Sequence, residues 1–383
     1  MPQTFEPLKT TREERGKMIA ETKGQIWRFN SGARAGTYRV KSQSGNGYYT
    51  VQKTDLGWKC SCPDHQMRGV ECKHIIAVKL SYAIREEVRA NVTLDPVVVT
   101  NCPACNSARI QKFGIRHNRS GDIQTYVCQD CGKRFSINIG FERMKHNQKA
   151  ITAAMQLYFS GESLRNTQRS LKLLGAEVSH QTISNWITKY TNLMKSYVER
   201  LTPQVGDVWR ADEVFVKVKG NLKYLFALMD DETRYWIAQE VADSKHMHDA
   251  AGLFREGKQL MDKVPAVLIT DGLPSYHTAF NKEFYTNTNP RSRHINAIKL
   301  NGKTGDEQNQ RMERLNGSIR DREKTMRGLK KKSTPILKGM QIYHNFIKPH
   351  ESLDGKTPAE ACGIQVNGEN KWMTLIQNAA AAK

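Results

Sequence analysis

Seven of the eight cysteines fall between positions 60 and 131, in two tight groups. Clustered thiols in a reducing compartment bind metal more often than they form disulfides. The second group, "CPAC" (102–105) and "CQDC" (128–131), repeats the pattern C-x2-C. That spacing lets two thiolates from one tight turn take adjacent corners of a tetrahedron, and the second pair closes it. Residues 106–127 are enough for a hairpin, with "RIQKFGIRHN" and "IQTYVC" as its strands. The expectation is a zinc ribbon over 97–142 with Cys102, Cys105, Cys128 and Cys131 as ligands. Four protein ligands leave no open position, so this zinc is structural. A redox pair or a disulfide is the alternative.

The first group, "CSCPDHQMRGVECKHI", supplies Cys60, Cys62, Cys72 and His74, again a closed set of four. His65 is a rival ligand, but the Cys72/His74 spacing mirrors Cys60/Cys62. The pattern resembles the SWIM zinc finger, a small module associated with DNA or protein binding, over about residues 40–80. It belongs to a first region, 1–92, in which Tyr48–Val51 and Trp58 suggest a hairpin around "TDLG" and "IIAVKLSYAIREEVRA" suggests a helix. Cys362, alone, reads as a small packed residue.

With 59 Lys+Arg against 38 Asp+Glu, the chain of 383 residues carries a net charge of +21. Such a balance selects polyanionic partners, and the length suits two to four domains. No stretch approaches the roughly 18 apolar residues of a membrane span. The N-terminus has no apolar core of a signal peptide. The expectation is a soluble cytoplasmic protein that binds nucleic acid and no membrane.

"SGESLRNTQRSLKLLGAEVSHQTISNWITKY" (160–190) looks like a helix-turn-helix within 145–202. Leu164, Leu171 and Leu174 can face inward, Gly175 can form the turn and Ser179 can cap the second helix. That helix carries His180, Gln181, Ser184, Asn185 and Lys189 opposite Ile183, Trp186 and Ile187. Short polar side chains there suit the major groove of double-stranded DNA. An ordinary helical hairpin with a solvated face is the alternative.

From 207 the pattern changes to strands: "DVWRADEVFVKVKG", "NLKYLFALMD", "TRYWIAQEVAD", then a helix near 246–262, "VPAVLITDG", a helix from Pro274, a strand near 293–300 and a long helix from about 305. Antiparallel strands followed by alternating helices and strands predict an α/β domain, 203–333, with a mixed five-stranded sheet. In its first strand Asp212 shares parity with Val214, Val216 and Val218, and so faces inward. A carboxylate there needs a partner or a metal. Asp271 follows a continuously apolar strand, at the end where α/β sheets place ligands. A third acid, Glu313, opens a stretch, 311–332, with nine basic and three acidic residues. Arg311, Arg314, Arg320 and Arg327 in that stretch suit the DNA backbone.

"ADE" (211–213), "TDG" (270–272), "ERLNG" (313–317) and "NFIKPHESLDGKTPAEACG" (345–363) resemble the DDE transposases of prokaryotic insertion sequences, enzymes with an integrase-like RNase H core. The resemblance covers about 160–363; residues 334–383 are expected to form a helical C-terminal segment and tail. It implies Asp212, Asp271 and Glu313 as a catalytic triad holding two Mg²⁺ ions, for which Mn²⁺ substitutes. It also implies terminal-repeat and target DNA as partners and a homodimer or larger assembly. One departure stands out: 41 residues (272–312) separate Asp271 from Glu313, more than is usual in the family, while Glu307 lies after 35 (272–306). Two other readings remain: a non-enzymatic DNA-binding derivative, and a metal-dependent nuclease that cuts without joining.

Overall fold

A capping box starts the first helix, α1 (Arg12–Glu21): Thr11 Oγ1 accepts from Glu14 N (3.2 Å), and the Glu14 carboxylate accepts from Thr11 N (2.8 Å). The computed structural model describes residues 11–382 apart from 23–24, 30–36, 44, 46, 55–56, 90–91, 99, 119–120, 137, 286–291, 298–308, 327–328 and 332–333. Four antiparallel strands follow in sequence order, β1 (Ile26–Phe29), β2 (Thr37–Lys41), β3 (Tyr48–Thr54) and β4 (Gly57–Cys60). Then come α2 (Pro63–Arg68) and α3 (Lys73–Arg89). Ile19, Tyr38, Val40, Val51, Ile75 and Val78 form a core of their own here. Gly16 allows α1 to lie on α3, since a Cβ would stand 2.7 Å from the Ile76 side chain and 3.1 Å from the Lys73 carbonyl.

After β5 (Val92–Leu94), a three-stranded antiparallel sheet of β6 (Ile110–Asn118), β7 (Gly121–Cys128) and β8 (Arg134–Ser136) carries the second cysteine group. Three helices follow: α4 (Gln148–Phe159), α5 (Leu164–Leu173) and α6 (His180–Val198). Each opens on a polar cap, with Asn147 Oδ1, Ser163 Oγ and Ser179 Oγ accepting from backbone N–H groups at 2.7, 3.1 and 3.1 Å. Gly175, at φ +81°, makes the turn before α6. Leu171 is buried, but Leu174, expected to face inward, is 73 % exposed. It lies beyond the last turn of α5, where the chain has left the helical phase that buries Leu171.

The large sheet is five-stranded and mixed, as its pattern predicts. β9 (Val208–Val218), β10 (Asn221–Asp230) and β11 (Trp236–Ala242) are antiparallel neighbours. Helix α7 (Met247–Met261) leads to β12 (Val267–Thr270), which lies parallel to β9 and is buried along its whole length. Helix α8 (Pro274–Glu283) leads to β13 (Arg293–Asn296), parallel to β12. The order is β11-β10-β9-β12-β13. Helix α9 (Gln310–Met326) begins later than the expected residue 305, and Glu307 lies outside the described residues.

The C-terminal part holds α10 (Pro335–Ile342), a π-helical turn (Tyr343–Ile347), α11 (Pro358–Ala361), β14 (Ile364–Val366) and α12 (Lys371–Ala381). It does not stand apart. One hydrophobic core runs from Leu94 through α4–α6 and the sheet to Ala379. Strand β14 pairs parallel with β5, joining the C-terminal part to the segment that follows α3.

Candidate active site and metal centres

Strand β9 carries Asp212 and Glu213 on consecutive residues, next to β12, whose end is followed by Asp271. One oxygen from each of Asp212, Glu213 and Asp271 lies within 4.8 Å of the others. Such a trio of hard oxygens suits a divalent cation of the magnesium type. Asp212 accepts hydrogen bonds from Asn316 Nδ2 (2.9 Å) and from the Glu213 backbone N–H (2.9 Å). Asp271 accepts from the Leu273 N–H (3.2 Å). Burial, and then the charges of Glu213, Asp271 and Glu313, push the Asp212 carboxyl up to about 7. Burial and the Glu213 charge also raise Asp271.

Glu313 stands on the first turn of α9, exposed, and its charge is felt at Asp212. Asn316, three residues on, is buried and reaches Asp212 directly, so α9 is docked against β9 at this point. No atom comes within 4 Å of a Cβ built at Gly317.

Glu213 is the residue that strand parity hides. Alternation assigns it to the exposed face with Phe215 and Lys217, yet its side chain is only 4 % exposed. The reason is local. That face of β9 is covered at its beginning, where Trp209 and Ala211 are buried, and open further on, where Phe215 and Lys217 are exposed. The Tyr276 hydroxyl on α8 donates to Glu213 Oε2 (2.7 Å), and the Lys245 ammonium donates to Oε1. The apolar Trp209 and Ala211, which share its parity, are the signal in the sequence.

The two cysteine groups also converge. Cys60, Cys62, Cys72 and His74 are all buried with their ligand atoms within 4.8 Å of one another. His74 Nδ1 lies 3.9 and 3.8 Å from the sulfurs of Cys60 and Cys72. His65 Nδ1 is instead at the Val70 carbonyl, 2.7 Å away. Cys102, Cys105, Cys128 and Cys131 gather likewise, with sulfur pairs 3.6 Å (102–131) and 3.5 Å (105–128) apart. Zinc–sulfur bonds of about 2.3 Å put tetrahedral corners roughly 3.8 Å apart, so the donor sets fit zinc.

Of the residues expected to meet DNA, His180, Gln181, Asn185 and Lys189 are exposed on α6 and Ser184 is half-buried, with Ile183, Trp186 and Ile187 behind them. Arg314 and Arg320 are exposed on α9, and Arg327 lies outside the described residues. Arg311 requires a correction. It is buried, paired with the Asp231 carboxylate and donating to the Asp231 carbonyl (3.0 Å) in a cluster with Arg210 and Arg234. Asp231, compensated by these three arginines, stays ionised below the usual carboxylate range although burial opposes it. Arg322 is buried as well, its guanidinium 3.8 Å from the Tyr158 ring centre.

Residues 206–350 match the family profile of a DDE domain, and residues 49–83 match that of the SWIM zinc finger. Over residues 206–350 the chain is thus similar to the DDE-domain class. More particularly, it combines a match to a DDE domain with a match to a SWIM zinc finger in one chain. The transposase for insertion sequence-like element IS431mec of Staphylococcus aureus is 26 % identical over 146 residues, 37 % of this chain and 63 % of that protein. The chain thus spans 63 % of the length of the curated relatives it matches first. An insertion element ISM1 protein of 48.3 kDa from Methanobrevibacter smithii is 30 % identical over 145 residues, covering 34 % of this chain and 35 % of that one. Among solved structures, the HTLV-2 integrase catalytic core domain in complex with magnesium is 14 % identical, covers 41 % of this chain and 94 % of that chain, and superposes with a TM-score of 0.29. Among the described residues, no helix is long and apolar enough to cross a membrane.

Proposed function

We propose that this protein is a transposase that binds the ends of an insertion sequence and carries out metal-dependent DNA cleavage and strand transfer. The observation that carries this reading is the meeting of Asp212 and Asp271 on neighbouring parallel strands, with α9 docked against Asp212. Asp212 and Asp271 would hold the catalytic Mg²⁺, and Glu313 would complete the set from α9. Bound there, the metal would supply activation of water or a 3′-hydroxyl as nucleophile and charge neutralisation at the leaving oxygen. Asn316 fixes the Asp212 carboxylate, and Glu213 adds negative charge that draws a cation into the cluster.

The remaining parts serve recognition. The two cysteine groups hold structural zinc, Cys60/Cys62/Cys72/His74 in the finger and Cys102/Cys105/Cys128/Cys131 in the ribbon. Helix α6 presents His180, Gln181, Ser184, Asn185 and Lys189 to the major groove, while Arg314 and Arg320 meet backbone phosphates. Arg311 and Arg322 are left out, because both are buried, Arg311 paired with Asp231 and Arg322 packed on Tyr158. Two element ends require two active sites, so a dimer or larger assembly is the working form.

The test is an assay with Mg²⁺ and linear DNA ending in the element's own terminal repeat. Uncut ends should be cleaved, and pre-cut ends with a free 3′-hydroxyl should be joined to a second duplex. Cleavage without joining would reduce the protein to a nuclease. Binding without either reaction would reduce it to a DNA-binding derivative.

A further inference from the structure

Lys245 lies in the link between β11 and α7, directly before the residue that caps α7. Its ammonium donates to Glu213 Oε1, while Tyr276 occupies Oε2. The Lys245 nitrogen also stands 5.5 Å from the Phe215 ring centre and 5.0 Å from that of Tyr224, a pair whose own centres are 4.9 Å apart. The Glu213 side chain is 4 % exposed and that of Lys245 32 %. The carboxylate is therefore enclosed, and the cation is open to solvent on one side.

A nearly buried carboxylate beside two others requires a compensating positive charge. Lys245 is the cation hydrogen-bonded to it. A divalent metal bound by Asp212, Glu213 and Asp271 would supply the same compensation in the same space. Two cations cannot share one carboxylate oxygen without strong repulsion. We propose that Lys245 is a resident counter-ion of the carboxylate cluster, which a divalent metal must displace from Glu213 in order to take that residue as a ligand. The inference rests on the cluster being the catalytic metal site. The aromatic pair Phe215–Tyr224 gives the released ammonium a favourable face. Tyr276 holds Glu213 in place in either state.

The test is calorimetric titration of Mn²⁺ into zinc-loaded full-length protein without DNA, which reads metal affinity rather than activity. Lys245→Met should tighten binding about tenfold, the order expected for removing one close charge partner. Lys245→Arg, which keeps the charge, should stay near wild type and controls for folding. Glu213→Gln should weaken binding, and adding Lys245→Met to it should bring no further tightening. If Lys245→Met leaves the affinity unchanged, displacement is overturned; if it tightens it equally with Glu213→Gln present, displacement is overturned too and only long-range repulsion remains. Asp271→Asn separates the two levels. If it abolishes binding while the Lys245 variants change nothing, the metal site stands and the counter-ion role falls. If it leaves binding intact, the cluster is not the metal site, and both fall.

Discussion

Asp212 is held in a state that favours its neutral form until something positive arrives. Unfolded, its carboxyl titrates near 3.8; folded, burial and neighbouring charges move it to about 7. Between those values the folded chain binds the extra proton, so metal-free stability falls as pH rises through that window and stays lowered above it. Asp212→Asn removes the penalty. Thermal melts without added divalent metal should show the variant more stable by roughly 1–3 kcal/mol at pH 8, with a smaller gain at pH 5. An equal gain at both values would assign the effect to packing. A second residue-scale expectation concerns Glu313. Glu313→Gln should abolish cleavage and joining while leaving DNA binding at or above wild type, which gel-shift and cleavage assays on the same end DNA would measure. Retained cleavage would return the role to Glu307. Asp212 was legible from strand parity and Asp271 from its place after an apolar strand. Glu213 was not, because parity predicts a face and cannot tell that this face is buried at the beginning of β9 and open further on.

At the scale of elements, the cysteine groups were the most legible part of the chain, since chelate spacing is a local property that survives any tertiary arrangement. Purified protein should contain two zinc ions per chain by elemental analysis. Cys105→Ser should release one of them and weaken DNA binding, because structural zinc contributes folding free energy. A variant that keeps both ions would dismiss the ribbon site. Helices α5 and α6 were readable from their apolar spacing and the Ser179 cap, and the five strands from their apolar patterning. Helix α9 was only half readable. Its excess of basic residues signals an anionic partner, yet composition cannot say which arginines turn inward. Arg311 answers a buried Asp231, and Arg322 packs on Tyr158. Both depend on residues distant in sequence, so no local pattern reveals them.

For the whole molecule, the charge of +21 favours a polyanionic partner, and the proposed one is DNA. Affinity for end DNA should fall steeply between low and physiological salt, with each neutralised phosphate contributing roughly −0.9 to the slope of log affinity against log salt. Fluorescence anisotropy at several salt concentrations would measure it, and a flat response would mean that the basic surface serves another purpose. The pairing of β14 with β5 has a consequence for the life of the chain before it meets any DNA. Asn367 Nδ2 donates to Asp95 Oδ1 (2.8 Å) across a sequence separation of 272 residues, beside that two-strand ladder. During translation the finger, with its own core, can close early, whereas β5 must wait for a partner made far later. Contacts this distant form late. A message cut short before Ile364 would leave β5 without its partner, so the ladder reports that the ribosome has reached this point.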